Sequence, residues 1–536
     1  MANKCQQVGY GAPVVVQWLH GHQVQPAHWL NYHFMTLSDQ TMPFVGTAQV
    51  YSPSPGERVH VALLRQGALP FIGRIQGMPL ARHLQELERS QWWSAEQLRA
   101  LQEHKLRRLL AHAYAQVPLY RRLWDRAGVH PQDIQGLADL PRLPLVSKAT
   151  LRQAYPLQAV ARNADSRQLV PYASSGSTGE PLQFVMSRSE KGLRWANMFR
   201  CWGWAGLRQG LRCANVKDGH ALGTFQNGPL RSAEQRLTNM LNLSAYAVHD
   251  ERLEQALAAL LRFRPKFMLG YPATVFRLAQ ALAERGQQLP LQGVITSGEV
   301  LFPFQRAAIE RQFGCPLFDF YGGEGMDVAM QCGHGPWYHI NAESVIAEVL
   351  DEAGQPAPAG QEGQIVLTNL NNLAMPFIRY AIADQGALLP PEQRCPCGRG
   401  LPLMAHVTGR SSDQLVLPSG RQLIMWYFTD VFRQMPGVAS FQMRQTAADC
   451  IAVSIAPGPD FGHLPAGPAH RSGQGVHSLG QYVGRDEAIA YLRQRLEEQV
   501  RGEAALDIRL VSDIPLGPGG KHRFFLAARL QSPAEP

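Results

Sequence analysis

Between Tyr172 and Leu182 the sequence reads YASSGSTGEPL. Four hydroxyl residues, Ser174, Ser175, Ser177 and Thr178, surround Gly176 and Gly179. Hydroxyls and backbone N–H groups at this density can hold a polyphosphate, and the glycines allow close approach. No Gly-Lys-Ser/Thr triplet follows, so this is not a Walker loop. It also lacks the G-x-S-x-G spacing of a hydrolase elbow. Taken alone, a flexible Ser/Gly turn accounts for it equally well.

Sulfur carries a second chemistry. Cys332 and His339 are spaced C-x6-H, and Cys395 and Cys397 are spaced C-x-C. Three thiolates and one imidazole satisfy a closed, tetrahedral structural zinc site. His334 competes for the imidazole place, and free thiols near a surface turn are the competing reading. Five further stretches follow the hydroxyl loop in order: TSGE (296–299), FDFYGGEG (318–325), PFIRYAIAD (376–384), GRSSDQL (409–415) and PLGPGGKHRF (515–524). Each has a dull reading alone: Asp384 could cap a turn, Tyr321 could fill a core, Lys521 could sit on the surface.

These residues need elements to position them. Periodicity predicts helices over 91–127 and 185–206, then alternation: helix 252–263, strand 266–272, helix 273–286, strand 292–299, helix 304–314, strand 315–323. Such alternation indicates an α/β fold with ligands at the carboxyl ends of its strands. Strands are expected at 343–351, 363–370 and 376–382. Residues 411–536 read as a small α+β domain, with strands at 414–424, 440–445, 450–456 and 506–514 and a helix at 486–502. Residues 457–485, rich in Gly, Pro and His, read as a mobile insertion. The expected organisation is an N-terminal extension of low regularity (1–80), a large α/β domain (81–410) and a small, mobile C-terminal domain (411–536).

Composition bounds the partners. At 536 residues the chain is too long for one core. No apolar run reaches about 20 residues, so no membrane span is expected, and the N-terminus lacks the pattern of a secretory signal. Eight cysteines in such a chain fit a reducing cytoplasm rather than a disulfide scaffold. The net charge of +9 favours anionic ligands. Its densest stretch, 101–128, alternates basic and apolar residues at helical spacing, which reads as a solvated helix face rather than a nucleic-acid groove.

The ordered set resembles the adenylate-forming ligases, and within them the phenylacetate-CoA ligase and capsule-biosynthesis-type branch. The similarity runs from about residue 90 to 530 and includes KLRRLLAHAYAQVPLYRRLW, LPLVSKATLR, LGYPATV and CPCGRGLPLM. The resemblance implies that Ser174, Ser175, Gly176, Ser177, Thr178 and Gly179 wrap the ATP phosphates, with Thr178 among the catalytic groups. It implies that Ser297, Gly298 and Glu299 line the adenine and acyl pocket, and that Phe320, Tyr321 and Gly322 flank the adenine. Asp384 is expected on the ribose hydroxyls and Arg410 on ribose or phosphate. Glu324 is expected to hold Mg²⁺, with Asp327 in reserve. Asp413 is the expected hinge. Lys521 is expected to reach the reacting carboxylate and the α-phosphate.

Two features depart from the family pattern. Glu324 stands three residues after Tyr321 rather than four, which suggests a local deletion, and Ala383 replaces the usual glycine before Asp384. The implied activity is ATP-dependent activation of a carboxylic acid to an acyl-adenylate, then transfer to a thiol, with CoA first among acceptors and an aryl or arylacetic acid as substrate. Tyr172 and the aromatic run 199–204 are candidate pocket walls. An amine or carrier-protein acceptor is the alternative, and a non-catalytic nucleotide-binding homologue is the second. The expected cofactors are ATP, Mg²⁺, CoA and a structural Zn²⁺. Neither nucleic acid nor membrane is an expected partner, and a homodimer is compatible with the sequence.

Overall fold

The computed structural model describes residues 51–174, 182–217, 237–248, 252–410, 437–458, 460–465, 479–515 and 524–526, with 415–419, 422–423, 428, 431–432, 435 and 522 between them. The chain divides into two compact units, Met1–Phe44 and Val45–Pro536. The first lies outside the described residues.

Thirteen strands precede residue 411 among the described residues. They are β1 (Leu169–Ala173), β2 (Gln183–Ser187), β3 (Cys213–Val216), β4 (Met240–Leu243), β5 (Phe267–Gly270), β6 (Gly293–Ser297), β7 (Leu317–Gly323), β8 (Met326–Gln331), β9 (Tyr338–Ile340), β10 (Val345–Leu350), β11 (Gly363–Asn369), β12 (Tyr380–Leu388) and β13 (Leu403–Arg410). Eleven form one sheet in the order β10-β11-β12-β13-β9-β8-β7-β6-β5-β3-β4. From β7 to β4 neighbouring strands are parallel; from β7 to β10 they are antiparallel. Strands β3 and β5 are buried throughout, and β6 at all but its last residue. That is the pattern of a parallel sheet covered on both faces. The helices Leu253–Phe263, Pro272–Glu284 and Pro303–Phe313 supply the crossovers. The last two begin on proline, whose fixed φ suits the first turn.

Four expectations need correction. The single helix expected over 91–127 is two, Ala95–Gln116 and Pro118–Ala127. Pro118 has no N–H to continue the first and opens the second. The helix expected at 185–206 starts at Arg188, because Gln183–Ser187 is strand β2, paired with β1. Ser187 ends that strand and caps the helix by accepting from the Glu190 N–H at 3.1 Å. The strand expected at 376–382 begins only at Tyr380, since Arg379 has a φ of +46°. Finally, residues 55–75 are helical rather than irregular: helices Pro55–Leu63 and Leu69–Ile75 flank a π-helical turn. The flanks of the 457–485 stretch pair as strands, His463–Pro465 with Leu479–Tyr482.

Beyond residue 411 the strands Ala505–Leu510, Cys450–Pro457, Val438–Ala447 and Phe525–Leu526 form a four-stranded sheet in that order. The helix Arg485–Val500 buries Ala488, Leu492, Leu496 and Val500. This gives the C-terminal region its own core around Phe441, Ile451 and Leu492. Phe302 from the large domain joins that core, its ring edge-on to Phe524 at 4.7 Å. Among the described residues, no helix is long and apolar enough to cross a membrane.

Candidate active site and metal centre

The carboxyl ends of β7, β6, β5 and β3 lie side by side, and each delivers a polar or aromatic residue. Tyr321 comes from β7, Ser297 ends β6, Tyr271 follows β5 and Lys217 follows β3. Tyr321 is buried, and its hydroxyl donates to Asp384 Oδ2 at 2.9 Å. This side-chain contact links β7 to β12, although β8, β9 and β13 lie between them in the sheet. Asp384 pairs with Arg410 in the β12–β13 ladder. The residue before it, Ala383, has a φ of +66°. That is a conformation costing an L-residue about 1–2 kcal/mol and one that glycine adopts freely. The glycine usual at this position in the family thus has a backbone reason.

The shortened Tyr-Gly motif forms a tight hairpin. Gly323 pairs with Met326, leaving Glu324 (φ +43°) and Gly325 (φ +78°) as the two turn residues. Positive φ at both is the signature of a type I′ turn. The turn projects from β7, beside Tyr321, and its only carboxylate is that of Glu324. A Cβ at Gly325 would lie 2.7 Å from the Phe184 ring, so Phe184 occupies the space a longer side chain would need. Asp327 is buried and paired with Arg194 at 3.5 Å, and burial raises its carboxyl above the usual range.

Both carboxylate oxygens of Glu299 accept backbone hydrogen bonds. One oxygen, Oε2, accepts from the Ala273 N–H at 3.1 Å, in the first turn of helix Pro272–Glu284. A carboxylate there is favoured by the unpaired N–H groups of the helix start. The other oxygen, Oε1, accepts from the backbone N–H of His522 at 2.7 Å. Gly298, with a φ of +85°, makes the turn that aims Glu299 this way. His522 is itself fixed, its Nε2 lying 3.0 Å from the Phe441 carbonyl, and burial holds its imidazole below the ordinary range.

The hydroxyl loop is described only at its mouth. The Ser174 N–H donates to the Leu182 carbonyl, and the Ser174 hydroxyl accepts from the Leu182 N–H, each at 2.9 Å. Ser175, Gly176, Ser177, Thr178 and Gly179 lie outside the described residues, as do Asp413, Lys521 and the side chain of Arg410. Phe320 and Gly322 lie in β7, and Phe320 is buried. Tyr172 stacks on Phe184 at 5.6 Å under the Arg194 guanidinium. The aromatic run 199–204 packs around the cysteine cluster: Trp204 lies edge-on to His339 at 5.6 Å.

Cys332, His339, Cys395 and Cys397 converge, with their ligand atoms all within 4.8 Å of one another. The Sγ atoms of Cys332 and Cys395 are 3.5 Å apart, and Cys397 Sγ is 3.3 Å from His339 Nε2. Tetrahedral bonds of about 2.3 Å to sulfur and about 2.0 Å to nitrogen give edges of roughly 3.5–3.8 Å. The donor set fits zinc in type, number and spacing. Strand β9 carries His339 into the cluster, while His334, 3.8 Å from Cys332 Sγ, stays outside the four. Hydrogen bonding with Cys395, then Cys397, pushes the Cys332 thiol far above its ordinary range, and hydrogen bonding with Cys332, then Cys395, draws Cys397 far below its own. Thiols this crowded cannot all ionise without a cation between them.

Lys217 carries no motif, and Tyr271, within the LGYPATV stretch, was not singled out as a site residue. Lys217 Nζ donates to Ser297 Oγ and lies 5.7 Å from the Tyr271 ring centroid. Lys217 and Tyr271 both stand just after buried strands.

No family model matches the chain. It is 29% identical over 454 residues to the phenylacetate-coenzyme A ligase of Thermus thermophilus, covering 81% of this chain and 97% of that protein. It is 30% identical over 419 residues to the phenylacetate-coenzyme A ligase of Aromatoleum evansii, covering 74% and 91%. Among solved structures it resembles a 2-hydroxyisobutyryl-CoA ligase in its postadenylation state, with a TM-score of 0.65 at 20% identity over 82% of this chain and 91% of that one. The same ligase in its thioesterification state gives 0.52 over 81% and 90%. By sequence across nearly the whole of these relatives, and by fold, the chain belongs to the phenylacetate-coenzyme A ligase branch of the adenylate-forming enzymes.

Proposed function

We propose that the protein activates a carboxylic acid with ATP, forming an acyl-adenylate and pyrophosphate, and then transfers the acyl group to the thiol of CoA. The observation that carries this reading is the seating of His522, the sequence neighbour of Lys521, on Glu299 at the strand ends. A carboxylate attacking an α-phosphate brings negative charges together, and cationic and N–H groups must offset the repulsion in the transition state. Lys521 supplies that charge from the small domain. A point charge on a long stem suits a group that arrives with a moving domain.

Asp384 accepts from the vicinal ribose hydroxyls, and Tyr321 both orients it and packs on the adenine. The loop from Ser174 to Gly179 donates to the phosphates, with Thr178 nearest the chemistry. Arg410 adds a ribose or phosphate contact, and Asp413 is the hinge. Glu324 fits Mg²⁺ as a carboxylate on a rigid hairpin tip, and the ion would neutralise phosphate charge there. Zn²⁺ on Cys332, His339, Cys395 and Cys397 ties the turn after β8 to the stretch before β13. With every position filled it is structural.

The test is to incubate the protein with ATP, Mg²⁺ and a panel of carboxylic acids, then add CoA. Acid-dependent pyrophosphate release followed by a CoA thioester is expected. Release that proceeds only to an amide, or to no transfer at all, overturns the CoA assignment.

A further inference from the structure

We propose that the elbow between helices Ala95–Gln116 and Pro118–Ala127 binds a small phosphate monoester, using none of the strand-end residues described above. The elbow lies within residues 101–128, the densest basic stretch of the chain. Residues 158–162 run beside it, held by two backbone hydrogen bonds. The Leu119 N–H donates to the Gln158 carbonyl, and the Arg162 N–H to the Gln116 carbonyl, each at 2.9 Å. The groove here measures about 340 Å³, and its lining includes Tyr114, Pro118, Arg121, Arg122, Asp125 and Arg162. Pockets for small molecules begin at about 300 Å³, so the groove has room for a phosphate with an organic portion attached.

Two of its three guanidiniums are held by neutral acceptors. Arg121 donates through Nε to the Tyr114 carbonyl at 3.1 Å and through Nη2 to the Ala115 carbonyl at 3.3 Å, with its guanidinium 5.4 Å from the Tyr114 ring centroid. Arg122 Nη1 donates to Gln158 Oε1. Among the described residues, none of the three pairs with a carboxylate. Asp125, the carboxylate in the lining, accepts from the Tyr114 hydroxyl at 2.7 Å. Charge then decides the ligand class. Three guanidiniums stand against one carboxylate and about half a charge from the carbonyl end of helix Ala95–Gln116, which leaves about +1.5. A phosphate monoester carries about −1.5 to −2 at neutral pH, whereas a carboxylate carries a single charge. Guanidinium forks also match phosphate oxygens two at a time, and two of these are already oriented. The Tyr114 ring and Pro118 offer apolar surface to the rest of the ligand.

The test is calorimetric titration of the full-length protein at fixed ionic strength. Ribose 5-phosphate is the probe, with gluconate as the monoanionic control and ribose as the neutral one. Ribose 5-phosphate should saturate the protein and bind at least about tenfold more tightly than either control. Arg121 is left in place because it also caps a helix end. Replacing the two exposed arginines together, Arg122→Gln with Arg162→Gln, should weaken ribose 5-phosphate by about 10–100-fold, and lysine at both positions should keep part of the affinity. Thermal melting of each variant checks that it folds. Titrations with CoA and 3′-dephospho-CoA separate two sources of the same chemistry. If the glutamine variant loses affinity for CoA but not for 3′-dephospho-CoA, the groove takes the 3′-phosphate of CoA. If its affinity for both is unchanged while ribose 5-phosphate weakens, the groove takes a free phosphorylated compound. Ribose 5-phosphate that does not saturate, gluconate that binds equally well, or a glutamine variant that binds the probe undiminished overturns the proposal. None of these titrations needs turnover, so their outcome leaves the adenylation reading untouched.

Discussion

Glu299 holds two elements at once: the first turn of helix Pro272–Glu284 through the Ala273 N–H, and the C-terminal domain through the His522 N–H. The large and small domains thus meet where this carboxylate accepts from His522, the residue next in sequence to the expected catalytic lysine.

Removing that carboxylate should weaken the first half-reaction selectively. Hydrogen bonds to charged groups contribute about 1.5–3 kcal/mol, and each 1.4 kcal/mol is about tenfold. Glu299→Ala is therefore expected to slow adenylation by roughly 10–100-fold. Thioester formation from a supplied acyl-adenylate and CoA should change far less. Rapid-quench measurement of the two half-reactions checks this.

The nucleoside end makes a separate prediction. Tyr321 holds Asp384 by one hydrogen bond, and Asp384 is expected to take two from ribose. Asp384→Ala should raise the KM for ATP about 100-fold, and Tyr321→Phe by only about 5–10-fold. ATP titrations of both variants, read by pyrophosphate release, test the order of the two effects.

Much of this site was legible because each motif sits where a strand ends. Residues 266–272, 292–299 and 315–323 were read as strands from their apolar runs, and β5, β6 and β7 fall within those bounds. The candidate zinc ligands were read from spacing as Cys332, His339, Cys395 and Cys397, with His334 as the rival, and strand β9 brings His339 into the cluster. Other features were hidden by local conflict. Ser54-Pro55-Gly56-Glu57 is a capping box, with the Ser54 N–H donating to Glu57 Oε2 at 2.9 Å, but its Pro and Gly read as loop. Arg379 and Ala383 interrupt strand geometry through positive φ, which side-chain type does not announce. Lys217 became visible only when the sheet order placed β3 beside β5.

The metal centre should be countable. Elemental analysis is expected to find about one zinc per chain, lost in Cys395→Ser or Cys397→Ser. Prolonged treatment with a strong chelator should lower the melting temperature, because four crowded donors are left without their cation. A chain that melts unchanged after full metal removal would contradict a structural role.

Glu190 predicts a pH dependence of stability. It is buried in the helix Arg188–Trp204, where burial raises its carboxyl to about 8 against a usual 4.5; an Asn369 amide hydrogen bond and Arg194 oppose the shift, and Asp327 adds to it. The folded state then holds a proton that the unfolded chain has lost between those two values. Stability should be full below the lower value and fall as pH rises to the upper one, by at most about 1.4 kcal/mol per unit. Glu190→Gln should flatten this slope. Denaturant midpoints of both proteins at about pH 6 and about pH 8.5 give the comparison.

The most direct measurement is acid-dependent exchange of labelled pyrophosphate into ATP, run on the unaltered chain and on Lys521→Ala. Exchange that requires the acid and falls by at least about a thousandfold in the variant, while the variant still binds ATP, is the predicted result. Equal exchange by both proteins would contradict the role given to the lysine, and absence of exchange with every acid would contradict adenylation itself.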